Sequence, residues 1–326
     1  MDRRPAVLLE RWGGLVSGPR IEIVECVAPL CVRLRLCFVG AMQSQPVADF
    51  DDPRIADYRN LKDATLASSR QRFIVEGRGN LRVLLTRSAY RPDSILLNER
   101  SWAALAPELE AVAPDCPIYV AEQPVLDRVV GFSIHRGCLA ACARSDPRDP
   151  LELARSVLAE RAAPRLVVLE GLTNHDNVGG IFRNAMALGG DGVLLCPRSC
   201  DPLYRKAIRT SMGGSLCVPF SRSEDLWRTL AALRGLGFEI LALDPGDPGV
   251  EIRTLDAAGI GAAALVLGTE GPGLTPATLA CADRRVRIAM EPGVDSLNVS
   301  AAAGIALYQL RRERTAAAAR VGGEAR

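Results

Sequence analysis

Arg183 follows Asn177 by six positions, with Gly179 and Gly180 between them, in the stretch GLTNHDNVGGIFRNA (171–185). Asn177 and the glycines ease a tight turn into a helix, and Arg183 falls about one turn inside it. Helical side chains lean towards the N-terminus, so the guanidinium should lie beside free backbone N–H groups. Such a cluster favours an oxygen on which negative charge develops. An ordinary strand–turn–helix with a surface arginine has the same spacing, and these residues alone leave both readings open. A second stretch, GTEGPGLTPATL (268–279), has three glycines within six positions, stiffened by Pro272, with Glu270 at its centre. Glycines there let backbone approach a ligand closely, while Thr275 caps a helix that has Pro276 at its first position. A third, MEPGVDSLNVSAAAGIAL (290–307), sets Ser296, Asn298 and Ser300 before Ala301, Ala302, Ala303 and Gly304. Asn298 or Ser300 can cap a helix and still offer hydrogen bonds to a ligand. The small residues forgo hydrophobic burial, which makes sense where another segment or a subunit must pass closely.

These three stretches need a scaffold that brings them together. Strands are expected at RLVVLEG (165–171), DGVLLC (191–196), SLCVPF (215–220), FEILALD (238–244), AALVLG (263–268) and RVRIAM (285–290), with helices between most of them. Alternating strands and helices imply a mainly parallel sheet covered on both faces. Ligands of such sheets sit beyond the carboxyl ends of the strands, which singles out the loops after Gly171, Gly268 and Met290. Upstream, YRNLKDATLASSRQRFIVEG, SILLN and PIYVA read as a smaller α/β domain. The expected organisation is a poorly ordered extension over 1–48, with Met42 an alternative start, a small α/β domain over 49–145 and a linker helix over 146–162. The main domain then covers 163–314, and a flexible tail 315–326.

Composition narrows the function. The formal charge of +2 provides no large field, so contact with nucleic acid would need a local patch. Lys62 and Lys206 are the only lysines among 40 basic residues, so the basic surface consists of guanidinium forks suited to phosphates and base edges. Ten cysteines lack any C-x-x-C pair, and His135 and His175 are the only histidines, so no metal site is expected. Reduced, mostly buried thiols point to a cytoplasmic protein. No apolar run approaches membrane-spanning length, and no G-x-G-x-x-G dinucleotide fingerprint occurs.

Taken together, Asn177-x-Gly179-x-x-x-Arg183, LVLGTEGPGL and RIAMEPGVDSLNVSAAAGIAL resemble the three motifs of the SpoU (TrmH-type) RNA methyltransferases of the SPOUT superfamily. The resemblance spans about 160–312. Ala289 departs from it, standing where the family usually has proline. The segment FIVEG…VLDRVVGFSIHRG is similar, less specifically, to the ribosomal-protein-like substrate domain that precedes many members. The resemblance implies a trefoil-knotted α/β domain and a homodimer through the knotted region. It also implies S-adenosylmethionine as methyl donor, held largely by backbone groups around Gly268, Thr269, Gly273, Ile288, Met290 and Leu297. The implied reaction is methylation of a ribose 2′-hydroxyl in transfer or ribosomal RNA.

For that reaction Arg183 is expected to stabilise the forming alkoxide, since an arginine stays protonated and makes a poor base. Asn177 would position Arg183 or the ribose. Glu270 would brace its loop or pair with Arg183, while Ser296, Asn298 and Ser300 order the third loop and the reacting ribose. Arg70, Arg72, Arg78 and Arg82 in the first domain, and Arg205, Lys206 and Arg209 in the second, are candidate RNA contacts. Two rival readings remain open from sequence: a catalytically silent RNA-binding protein of the same fold, and a knotted enzyme that methylates a base.

Overall fold

The computed structural model describes residues 43–59, 71–134, 137–145, 148–246 and 248–311. The first sheet is built from β1 (Ser44–Val47), β2 (Arg72–Glu76), β3 (Pro92–Asn98), β4 (Ile118–Ala121) and β5 (Cys138–Ala143), in the order β1-β4-β3-β5-β2. The first three in that order are parallel, and β5 runs antiparallel to both of its neighbours. Helices α1 (Arg78–Arg87), α2 (Glu99–Val112) and α3 (Gln123–Val130) follow β2, β3 and β4. Ile95, Leu96 and Leu97 in β3 are all fully buried, as consecutive side chains are when a strand is covered on both faces. On one of those faces Leu96, Tyr119 and Leu139 pack with Tyr58, Leu126 and Val130.

Strand β1 corrects the expectation of a poorly ordered segment over 1–48: residues 44–47 pair in register with β4. Pro46 disguised it in the sequence. A proline cannot donate to a ladder, but β1 is an edge strand, where proline is tolerated. Residues 1–42 lie outside the described residues, as do the tail from 312 and most of the helix read within 58–77.

The second sheet is entirely parallel. It comprises β6 (Arg165–Leu169), β7 (Gly192–Leu195), β8 (Phe220–Arg222), β9 (Glu239–Leu243), β10 (Val250–Glu251), β11 (Ala263–Leu267) and β12 (Arg284–Arg287), in the order β10-β12-β9-β11-β6-β7-β8. Around it lie α4 (Pro150–Glu160), α5 (His175–Leu188), α6 (Arg205–Thr210), α7 (Gly214–Cys217), α8 (Leu226–Gly235), α9 (Pro276–Ala280) and α10 (Val299–Gln309). Strand side chains alternate between faces, and the two cores divide accordingly. Val167, Leu169, Leu265 and Leu267 pack with α5 and α10 through Val178, Phe182, Ala303 and Leu307. Leu166, Val168, Ala264 and Val266 face α4 and α8 through Leu153, Val157, Leu230 and Leu233. Helix α4 is therefore a layer of this domain's core, although its position suggested a linker.

One expected strand, 215–220, forms elsewhere. Residues 214–217 make the short helix α7, and the strand starts after Pro219. Gly213 sits at φ +81° and Ser215 bonds Ser211 through backbone and hydroxyl, which holds the helical turn. Pro219 has no N–H for a ladder, so its carbonyl closes the loop on Val193 instead.

The two sheets meet at α6 and α7. Arg205 bonds the buried Glu76 carboxylate at 2.6 Å and stacks over the Phe132 ring at 4.5 Å. Arg144 pairs with Asp201, and Ser88 Oγ donates to the Leu216 carbonyl at 2.9 Å. Helix α6 also lies tightly on α5: a Cβ at Gly179 would come 2.6 Å from the Ala207 carbonyl oxygen and 2.8 Å from Thr210 Cβ. Gly179→Ala should therefore push these helices apart and destabilise the domain by about 1–3 kcal/mol. A denaturant midpoint equal to wild type would show that the contact yields without strain.

Candidate active site

Each motif is positioned by its own local capping. Asn174 caps α5 by accepting from Asp176 N at 2.8 Å, which places Asn177 in the first turn with 6% exposure. After β11, the chain turns back on itself through Gly273 N donating to the Thr269 carbonyl at 3.0 Å. Gly271 and Gly273 have φ of +81° and +72°, conformations that disfavour any side chain. Gly268 has no room for one, because its Cβ would lie 2.5 Å from Leu274 N and nearer still to the Gly273 carbonyl carbon. Thr275 then caps α9, and its N–H and hydroxyl are anchored on the buried Glu170 at 3.1 and 2.8 Å. Asn298 caps α10, accepting from Ser300 N at 2.9 Å and Ala301 N at 3.3 Å.

Three side chains tie the motifs together. Asn177 Nδ2 donates to Glu270 Oε1 at 2.8 Å. Asn298 Nδ2 donates to Asn177 Oδ1 at 2.9 Å and to the same Glu270 oxygen at 3.1 Å. Glu270 thus braces the three loops and does not pair with Arg183, and Asn177 is held by this triad rather than by the arginine. Glu270→Ala would leave Nδ2 of the buried Asn177 without its acceptor, a cost of about 1–3 kcal/mol. The expected result is weaker binding of the cofactor proposed below by roughly ten-fold or more, and unchanged affinity in calorimetry would count against the bracing role.

The small residues of α10 answer a packing need. A Cβ at Gly180 would come 2.9 Å from Ser300 Cβ, and one at Gly304 would come 3.1 Å from Asn184 Nδ2. Asn184 donates to the Ser300 carbonyl at 2.6 Å. The helices cross almost backbone to backbone, and Ser300 is engaged at that crossing.

Beyond the ends of β9, β11 and β12 the loops enclose a hollow. Gly268, Thr269, Gly273, Ile288, Met290 and Leu297 all line it, as do Glu270 and Ser296. The opposite wall, Leu243, Asp244 and Pro245, was missed from sequence, although the same rule about strand ends applies to the loop after β9. Residues 291–298 are exposed throughout, and Leu297 presents 40% of its surface. Arg183 is exposed on α5, is not part of the hollow's wall, and its side chain has no bonded partner among the described residues.

The candidate RNA contacts divide in the same way. Arg70 lies outside the described residues. Arg72 pairs with Asp57 at 3.3 Å and with Asp93, and Arg82 with Glu108 at 2.5 Å. Arg205 is spent on the junction between the sheets, a strut rather than a phosphate contact. Lys206 is exposed but bonds Asp176 at 2.7 Å. Arg78 and Arg209 remain exposed with no side-chain partner among the described residues. His175 packs against Tyr204 at 4.4 Å, and partial burial lowers its pKa. His135 lies outside the described residues.

Residues 164–308 match the SpoU rRNA methylase family. An uncharacterized tRNA/rRNA methyltransferase of Mycobacterium tuberculosis is 39% identical over 273 residues, spanning 82% of this chain and 92% of that one. Among solved structures, the AdoMet-bound rRNA methyltransferase of Sinorhizobium meliloti superposes with a TM-score of 0.67 at 21% identity, over 82% of this chain and 97% of the other. An RNA 2′-O ribose methyltransferase structure gives 0.64 at 23% identity, over 82% and 98%. At these identities the structures show a shared fold.

Proposed function

The chain belongs to the SpoU rRNA methylase family, and on that premise we propose that it is a cytoplasmic enzyme carrying a methyl group from S-adenosylmethionine to a ribose 2′-hydroxyl of transfer or ribosomal RNA. The observation that carries this reading is the junction of Asn177, Glu270 and Asn298, which ties the start of α5 to the two motif loops that line the hollow. The residues present suit the cofactor. The glycine turn offers backbone that no side chain shields, and Leu243, Ile288, Met290 and Leu297 supply apolar walls for a flat ring and the aliphatic part of its chain. When bound, the cofactor supplies an electrophilic methyl group. The protein's part is to exclude water, hold the ribose and stabilise its oxygen as the proton leaves. Glu270 serves as a loop brace. A carboxylate against the sulfonium would favour the ground state, whose positive charge is lost as the methyl moves.

Arg183 is assigned to the alkoxide, and its place outside its own hollow makes the assembly part of the proposal. Ile305 and Tyr308 on α10 are 42% and 68% exposed, a bare apolar face such as a subunit would cover. In the proposed homodimer, through a knotted C-terminal segment, this face meets its copy and Arg183 reaches the hollow of the partner. The small α/β domain would hold RNA, with Arg78 and Arg209 among the exposed cations that could meet its phosphates. Among the described residues no helix is long and apolar enough to cross a membrane.

The test is methyl transfer to RNA from a strain lacking the gene, followed by alkaline hydrolysis. A 2′-O-methyl group protects the adjacent phosphodiester, so label should appear in an alkali-resistant dinucleotide. Label in a free mononucleotide would establish base methylation, and absence of both cofactor binding and transfer would favour a silent RNA-binding protein.

A further inference from the structure

We propose that a second cleft of the catalytic domain receives an unstacked base of the substrate RNA, guanine in preference to the other three. The inference rests on the RNA reading above. The cleft measures about 530 Å³, within the usual range of ligand sites, and opens beyond the carboxyl ends of β6, β7 and β8. Trp227, Arg198, Glu224 and Asp225 line it.

Trp227 is the recognition element. It is 48% exposed, a costly position for the largest aromatic side chain unless something covers it. Its indole Nε1 donates to Thr278 Oγ1 at 3.2 Å, and that hydroxyl donates in turn to the buried Glu170 at 2.9 Å. The ring is held by a fully buried threonine and needs no ordering when a ligand arrives. A fixed, half-exposed indole is a stacking platform for a base.

The charged groups decide which base. Glu224 and Asp225 are exposed, and neither carboxylate forms an ion pair among the described residues, since Asp225 only caps α8 through Arg228 N. Carboxylates accept hydrogen bonds and repel phosphate, so they select the base edge of a nucleotide. Guanine alone presents a ring N–H beside an exocyclic amine, the pair of donors that a carboxylate accepts with both oxygens. Arg198, exposed at the rim without a bonded partner among the described residues, can meet the attached phosphate. Position supports the same partner. Glu170 anchors both Thr275 and Thr278, and Thr278 lies five residues after Gly273 of the glycine turn, a span of at most about 18 Å. One RNA strand can occupy both places.

The test combines nucleotide titration with RNA kinetics. GMP should quench the tryptophan fluorescence of the wild type more strongly than AMP, CMP or UMP, and should leave Trp227→Ala unaffected. Trp227→Ala should raise the KM for RNA by about ten-fold or more, with kcat and S-adenosylmethionine affinity retained and Trp227→Phe restoring much of the loss. An unchanged KM in a Trp227→Ala protein that binds the cofactor normally would overturn the proposal, and equal quenching by all four nucleotides would overturn its preference for guanine. A wild type that quenches with GMP yet methylates no RNA would refute the assignment of the ligand to an RNA substrate, together with the reading it rests on.

Discussion

Arg183→Ala should lower methyl transfer by about two to three orders of magnitude, the loss found when one donor is removed from a site of developing negative charge. S-adenosylmethionine affinity should not change, because no part of Arg183 lines the hollow. Folding should not suffer either. The side chain is exposed and unbonded among the described residues, and such substitutions usually stay within about 0.5 kcal/mol. The proposed dimer adds a sharper expectation. Coexpressed with a variant whose own hollow is closed, Arg183→Ala should regain activity, because each mixed dimer has one site free of both lesions. Random pairing makes half the dimers mixed, each with one of its two sites intact, so about a quarter of wild-type activity should return. Recovery no greater than the two parents show separately would mean that each chain uses its own arginine or none.

Gly268→Val supplies that closed hollow and is itself the second large effect. The added Cβ would lie 2.5 Å from Leu274 N, and the atoms it meets are backbone, so no rotamer change relieves the overlap. The turn between Thr269 and Gly273 must open, at a cost of about 1–3 kcal/mol. Cofactor affinity should fall ten- to hundred-fold, read by calorimetry. The melting temperature should fall by the few degrees that such a cost implies, leaving a folded protein in which binding can be read. Wild-type affinity in Gly268→Val would remove the glycine turn from the binding site.

The parallel domain was legible because its strands are continuous apolar runs. RLVVL and AALVL fill both faces of a buried sheet, and that pattern admits few other readings. The capping residues were legible for a related reason: Thr275 and Asn298 act on N–H groups two or three positions away. Long-range pairing was not. Nothing local marks Arg205 as the partner of Glu76, 129 positions earlier, and an arginine on a helix reads as a surface cation. The same limit hid the triad. Asn177, Glu270 and Asn298 were each picked out, but their mutual bonds depend on how β6, β11 and α10 are brought side by side. Asp244 and Pro245 were overlooked because their loop, DPGDPG, reads as an ordinary turn, although it closes the same hollow. Proline misled in both directions. Pro46 hid an edge strand, and Pro219 made a strand appear to start before it, when it starts just after.

If the loops after β9, β11 and β12 form one methyl-donor pocket served by an arginine from a second subunit, a crystal structure with S-adenosylmethionine will show both. The cofactor should lie between the glycine turn at 268–273 and Leu297, its methyl group directed at Arg183 of the partner subunit. A cofactor bound elsewhere, or a dimer in which neither Arg183 can reach a methyl group, would contradict that arrangement.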